Sequence, residues 1–180
     1  MKLVILDRDG VINEDSDEFI KSPDEWHAIP GSLEAIARLN RAGYSVIVIT
    51  NQSGLARGLF DIETLNAIHD KMHKQLAALS GYVESILFCP HRAEDNCDCR
   101  KPKAGLYLDL QTRLNFSLSG VPSVGDSLRD MQAAREVGAL PVLVKTGKGE
   151  RTLANAIGLD NVPVYDDLAS FTENLLSNKF

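Results

Sequence analysis

The sequence predicts an α/β protein: a doubly wound, mostly parallel sheet with helices on both faces, a cysteine-rich loop near its middle and no large cap domain. Three observations predict this. Strand-like and helix-like segments alternate along the chain, the pattern that builds parallel sheets. The 180 residues suit one domain, 1–180, with a sizeable core. No internal repeat, low-complexity tract or long linker divides them.

Lys2–Leu6 is short, apolar and β-branched, and reads as a buried strand. Pro30-Gly31 marks a turn, and Ser32 reads as the N-cap of a helix carrying Leu33, Ile36, Ala37 and Leu39 and ended by Gly43. Ser45–Thr50 is the second strand. Asp61 caps a helix running to about Leu79, and Tyr82–Phe88 is the third strand, followed by the cysteine-rich loop. Pro102 stands where a helix can begin, with apolar residues at Leu106, Leu110 and Leu114. Pro122–Gly125 is a strand, Leu128–Val137 a helix closed by Gly138, and Pro141–Lys145 a further strand. Val162–Tyr165 is the last strand, before an amphipathic C-terminal helix.

A net charge of -6 argues against a nucleic-acid partner but leaves room for a small anionic substrate held by local cations. The apolar start is stopped by Asp7-Arg8-Asp9 too early for a signal peptide, and Val46–Ile49 is far short of a membrane span. The expected setting is therefore cytoplasmic, with no membrane partner. Thiols stay reduced there, so clustered cysteines point to metal.

Parallel sheets bind ligands beyond the carboxyl ends of their strands, and the sharpest polar residues lie there. In Asp7-Arg8-Asp9-Gly10 an extended chain would aim both carboxylates the same way and Arg8 away. Asp7 can attack a phosphorus in line. Asp9 can protonate the departing oxygen and then deprotonate the water that cleaves the acyl phosphate. Two carboxylates facing a phosphate need a cation, and Mg²⁺ takes oxygen ligands and bridges such groups. Thr50-Asn51 offers a hydroxyl and an amide for phosphoryl oxygens. Lys101, before Pro102, can sit near a helix N-terminus. Asp126 would complete the metal site, with Asp130 supporting it.

The set Asp7-x-Asp9, Thr50, Lys101 and Gly125-Asp126-x3-Asp130 resembles the four motifs of the haloacid dehalogenase superfamily of phosphohydrolases over nearly the whole chain. The resemblance implies a Rossmann-like fold, an aspartyl-phosphate intermediate, and Mg²⁺ held by the Asp7 carboxylate, the Asp9 carbonyl and Asp126.

All three cysteines fall in one loop, Cys89-Pro90-His91 and Cys97-Asp98-Cys99. Three thiolates and one imidazole suit a tetrahedral, structural Zn²⁺ that folds a loop almost without apolar residues. Followed by Arg100-Lys101-Pro102, the loop resembles two groups within the superfamily, the heptose 1,7-bisphosphate 7-phosphatases and the histidinol-phosphate phosphatases. Asp7–Asn13, Thr50–Gly58 and Cys99–Pro102 look most like the former. The five residues between His91 and Cys97 are a spacing also seen in the latter, and Ser127 stands where some members carry Lys. The resemblance implies substrate contacts from Asn13, Asp15, Ser16, Asp17 and Glu18, from Asn51, Gln52, Ser53 and Arg57, and from Arg100, whose guanidinium suits a second phosphate. The implied partner is a small phosphorylated sugar of lipopolysaccharide-precursor metabolism, and the chain is expected to be a monomer. A phospho-aspartate receiver domain is the reading from another class. Receivers phosphorylate an aspartate after a later strand and have no counterpart of the cysteine loop.

His69 and His73, four apart, read as a surface helix face. Thr146-Gly147-Lys148-Gly149 lacks the full spacing of a phosphate loop and reads as a turn. Trp26, with Phe19 and Ile20, belongs either over the site mouth or in the core.

Overall fold

The computed structural model describes residues 1–155 and 157–177. Among the described residues, six strands form one sheet: β1 (Lys2–Leu6), β2 (Tyr44–Asn51), β3 (Ser85–Cys89), β4 (Pro122–Gly125), β5 (Leu140–Val144) and β6 (Val164–Tyr165). Their order is β3-β2-β1-β4-β5-β6, and every pairing is parallel. The helices are α1 (Ser32–Arg41), α2 (Ile62–Ala78), α3 (Gly105–Leu114), α4 (Leu128–Glu136), α5 (Gly149–Asn155) and α6 (Leu168–Ser177). Among the described residues, no helix is long and apolar enough to cross a membrane.

Side-chain alternation along the central strands builds the two layers. Val4, Leu6, Val46 and Val48 share a core with Ile36 and Leu39 of α1, Met72 of α2 and Phe171 of α6. Leu3, Ile5, Ile47 and Ile49 point the other way and pack on Tyr107 and Leu110 of α3 and Ala133 and Ala134 of α4. Helices therefore cover both faces, as the alternating sequence predicts. The strand order reverses at the middle of the sheet, where β1 and β4 lie side by side. Their carboxyl ends are the topological switch point at which ligands bind.

Several element boundaries differ from those expected. Ser32 is the first helical residue of α1, after Gly31 as N-cap; its buried hydroxyl donates to Ile12 O at 2.6 Å, tying the helix to the loop after β1. β3 starts at Ser85 because the Tyr82 amide is taken by Asn40 Oδ1 at 2.8 Å. β6 starts at Val164, since Val162 N–H turns back to Leu159 O at 3.1 Å. α3 begins at Gly105, not at Pro102. The Lys101-Pro102 peptide is cis, and Lys103 N–H closes a turn onto Arg100 O at 2.9 Å. Lys101 thus leads into a turn rather than a helix. Asp61 does cap α2, accepting from Thr64 N at 2.8 Å. Trp26 is wholly buried in the core under α1 and α2, beside Ile20.

Candidate active site and cysteine cluster

β1 and β4 each release an aspartate at the switch point. Asp7 N–H bonds to Val124 O at 2.9 Å, so the end of β1 is fastened to its neighbour just where the first carboxylate leaves the sheet. Carboxylate oxygens of Asp7, Asp126 and Asp130 all lie within 4.8 Å of one another. The Lys101 ammonium enters this acidic cluster. It is 2% exposed and contacts Asp130 Oδ1 at 2.8 Å, Asp7 Oδ1 at 3.2 Å and Ile49 O at 2.8 Å. The Asn51 side chain holds the lysine backbone, pairing with Lys101 N and Lys101 O at 3.1 Å each.

Asp130 is committed elsewhere. Its Oδ2 accepts from Ser127 N at 3.0 Å and Ser127 Oγ at 2.7 Å, a capping box that starts α4. Lys101 occupies its other oxygen. Asp7 and Asp126 are the carboxylates left for a cation. Burial, with Asp130 and Asp7 as neighbours, pushes Asp126 up to about 8. Burial lifts Asp7 to about 6 against the pull of Lys101. A divalent ion relieves both strains at once, so the donor set fits Mg²⁺.

Arg8 does not point away as the extended reading implies. β1 ends at Leu6, and residues 8–13 fold into a tight turn in which Ile12 N–H bonds to Arg8 O at 2.8 Å. Arg8 is fully buried and grips Asp9 Oδ1 through Nε at 2.9 Å and Nη2 at 2.8 Å. Asn13 Nδ2 donates to the same oxygen at 2.9 Å, and Gln52 Nε2 to Asp9 Oδ2 at 3.0 Å. Burial raises the Asp9 carboxyl, but Arg8 and these amides outweigh it and hold it below the ordinary range. His69 is also not on a surface face: it is buried, with Nε2 3.1 Å from Arg8 Nη1.

The cleft above these groups has a volume of about 210 Å³ and is walled by Asp7, Asp9, Thr50, Lys101 and Asp126 at its floor. Asp15, Ser16 and Asp17 also line it, with Asn51, Ser53, Arg57 and Arg100. Asn13, Gln52 and Glu18 do not reach this wall. The first two are buried behind Asp9, and Glu18 faces a neighbouring surface groove. Phe19, named in the sequence as a neighbour of Trp26, lines the cleft, as do two residues the sequence did not single out, Arg129 and Lys148. Arg57 lies over the Phe19 ring at 5.7 Å, and Lys148 Nζ meets Asp15 at 3.2 Å.

The Thr146–Gly149 turn, set aside in the sequence, is thus part of the site. Lys148 N–H donates to Asp126 Oδ2 at 2.7 Å and Thr146 Oγ1 to Gly10 O at 2.7 Å. Gly10 and Gly147 face each other across the Asp126 carboxylate, which a β-carbon at either position would strike. The signal was available: this turn follows β5 at the same sheet edge as the aspartates.

The cysteine cluster lies on the far side of Arg100. Cys89 Sγ, His91 Nδ1, Cys97 Sγ and Cys99 Sγ converge within 4.8 Å, and all three cysteines are free. Cys89–Cys97 and Cys97–Cys99 are 3.6 Å apart and Cys89–Cys99 2.9 Å. Sulfurs on one tetrahedral zinc stand about 3.8 Å apart for bonds of about 2.3 Å, so this donor set can hold zinc. Arg100 Nη1 donates to His91 O at 3.2 Å, coupling the cluster to the cleft wall.

A parallel sheet in this order, with acidic turns after its two central strands and a buried lysine between them, defines the class: a haloacid dehalogenase-like phosphoric monoester hydrolase. A "HAD-hydrolase-like" family model matches residues 98–171, and a "Polynucleotide kinase 3 phosphatase" model matches residues 2–133. The D-glycero-beta-D-manno-heptose-1,7-bisphosphate 7-phosphatase of Bordetella bronchiseptica is 59% identical over 176 residues, 98% of each chain. That of Pseudomonas aeruginosa is 51% identical over 174 residues, 97% of each. The crystal structure of the B. bronchiseptica D,D-heptose 1,7-bisphosphate phosphatase, with magnesium and phosphate, superposes with a TM-score of 0.97 over 98% of this chain and 99% of that one, at 59% identity. The Burkholderia thailandensis enzyme gives 0.79 over 99% and 100%, at 48% identity. The chain belongs to this family of heptose bisphosphate phosphatases.

Proposed function

We propose that the chain hydrolyses the 7-phosphate of D-glycero-β-D-manno-heptose 1,7-bisphosphate, leaving the 1-phosphate, through a phosphoryl group carried on Asp7. The reaction would serve the synthesis of lipopolysaccharide-precursor sugars. The observation that carries this reading is the junction of Asp7, Asp126 and Lys101 at the switch point, beneath a cleft rimmed by Arg57, Arg100, Arg129 and Lys148. In a chain of net charge -6, that rim gathers cations where a doubly phosphorylated sugar needs them.

The Asp7 carboxylate attacks phosphorus opposite the C7 oxygen. The bond from phosphorus to that oxygen breaks, and Asp9 delivers a proton to the departing alkoxide. Asp9 then takes a proton from a water whose oxygen attacks the same phosphorus, freeing inorganic phosphate and regenerating Asp7. Thr50 and Lys101 hold transferred oxygens, Lys101 also fixing Asp7. Mg²⁺, held by the carboxylates of Asp7 and Asp126 and the Asp9 carbonyl, supplies charge neutralisation for the phosphoryl group. In the free protein Asp9 is ionised and bonded on both oxygens, so it acquires its proton only when the phosphate and the departing oxygen raise its affinity. Cys89, His91, Cys97 and Cys99 would hold a structural Zn²⁺ that orders the loop, and Arg100 is kept at the wall through its bond to His91 O. Asn51, Ser53, Arg57, Arg100, Asp15, Ser16 and Asp17 contact the sugar or its second phosphate. Asn13 and Gln52 act from behind, by orienting Asp9. The test is phosphate release from the α and β heptose bisphosphates and from histidinol phosphate. The β-bisphosphate should be preferred in kcat/KM, and a large preference for histidinol phosphate would overturn the assignment.

A further inference from the structure

One buried titratable group has no part in the reaction as drawn. His69 of α2 lies under the turn after β1, 9% exposed, with Nε2 3.1 Å from Nη1 of the fully buried Arg8. A guanidinium keeps its protons at any working pH. Nη1 is therefore the donor, Nε2 the acceptor, and the ring proton sits on Nδ1 of a neutral imidazole. Burial, followed by the charge of Arg8, holds His69 down at about 4, in keeping with that tautomer.

The same guanidinium presents its other edge to Asp9, with Nε and Nη2 both on Oδ1. The group is planar and rigid, so anchoring Nη1 sets the direction of the Nε–Nη2 edge. Asp9 Oδ1 then accepts two hydrogen bonds, from Arg8 Nε and Asn13 Nδ2, beside the Nη2 charge, while Oδ2 accepts only from Gln52. The more lightly bonded Oδ2 is the oxygen suited to carry a proton.

We infer that His69 is a positioning residue for the acid/base step: through Arg8 it fixes the Asp9 carboxylate so that Oδ2 meets the departing oxygen. The inference rests on the phosphatase reading above. Orientation of a general acid matters in proportion to how badly the leaving group needs a proton. An alkoxide needs one; para-nitrophenolate leaves without it. A merely structural histidine would affect both esters alike.

The test compares kcat/KM, which reports steps up to departure of the alcohol, for the heptose bisphosphate and for para-nitrophenyl phosphate. His69→Met removes the acceptor at similar volume, and His69→Gln places an acceptor near the position of Nε2. For His69→Met the sugar phosphate should lose at least about tenfold and para-nitrophenyl phosphate less than about twofold, with His69→Gln restoring most of the loss. Should His69→Met fail to fold, His69→Asn, whose amide is too short to reach Arg8, is expected to show the same split. Equal losses on both esters, or no loss on either, would overturn the inference. A wild-type protein that releases phosphate from neither ester would instead overturn the parent reading.

Discussion

The carboxylate cluster draws Asp7, Lys101, Asp126 and Asp130 from three remote stretches of chain, with Asp7 and Asp126 just past the ends of two paired strands whose register the core fixes. The cysteine cluster draws all four of its members from residues 89–99, and apart from the buried Cys89 its loop is half-buried or exposed. Both crowd groups that repel one another once ionised, and both donor sets fit a cation. They differ in what holds them without one. The sheet holds the carboxylates, so the first site should outlast loss of its ion. The loop has almost nothing apolar to bury, so the second should not.

The sharpest break of the comparison is Asp7→Asn. Turnover should fall by at least about 10⁴-fold while the melting temperature stays at or above that of the wild type, because a carboxyl already raised by burial is neutralised. Kinetics and calorimetry on the same sample check both halves. Lys101→Met should cut kcat by about 10²–10³-fold and also cost stability, about 3–5 kcal/mol, since it leaves Asp7 and Asp130 buried without their counter-charge. Urea unfolding reads the second effect. Cys97→Ser should act the other way round. Zinc content and melting temperature fall, while activity drops only a few-fold, through Arg100; unchanged zinc stoichiometry would contradict the four-ligand site. The smallest expected effect is a pH trend. Asp7 and Asp126 have folded-state values of about 6 and about 8, both above the ordinary 3.8. Their contribution to the stability of the metal-free protein is therefore full below pH ~4 and lost as pH rises to ~8. Added Mg²⁺ should raise the melting temperature more at pH 8 than at pH 5.

The same contrast explains what the sequence disclosed. The cysteine cluster is local, so spacing alone revealed its members. The proposed catalytic residues are remote, yet Asp7, Asp9 and Thr50 stand at or just past a strand end, and alternating strands and helices placed those ends on one edge; Lys101 comes from a turn. Arg8 and His69 were misplaced because a charged residue and a histidine beside polar neighbours look solvated. Nothing local shows that they meet across 61 positions beneath a turn. Lys148 was missed for a related reason. Its turn is too short for a phosphate-loop pattern, and its role comes from a backbone amide on Asp126, which no side-chain pattern records. Pro102 misled because proline favours a helix start and a turn alike.

The most direct test of the central claim is to quench the working enzyme rapidly, treat it with hydroxylamine, and locate the hydroxamate by peptide fragmentation. An acyl phosphate on Asp7 predicts modification at that residue alone, dependent on substrate and on Mg²⁺. Full turnover with no trapped adduct, or an adduct on any other carboxylate, would contradict it.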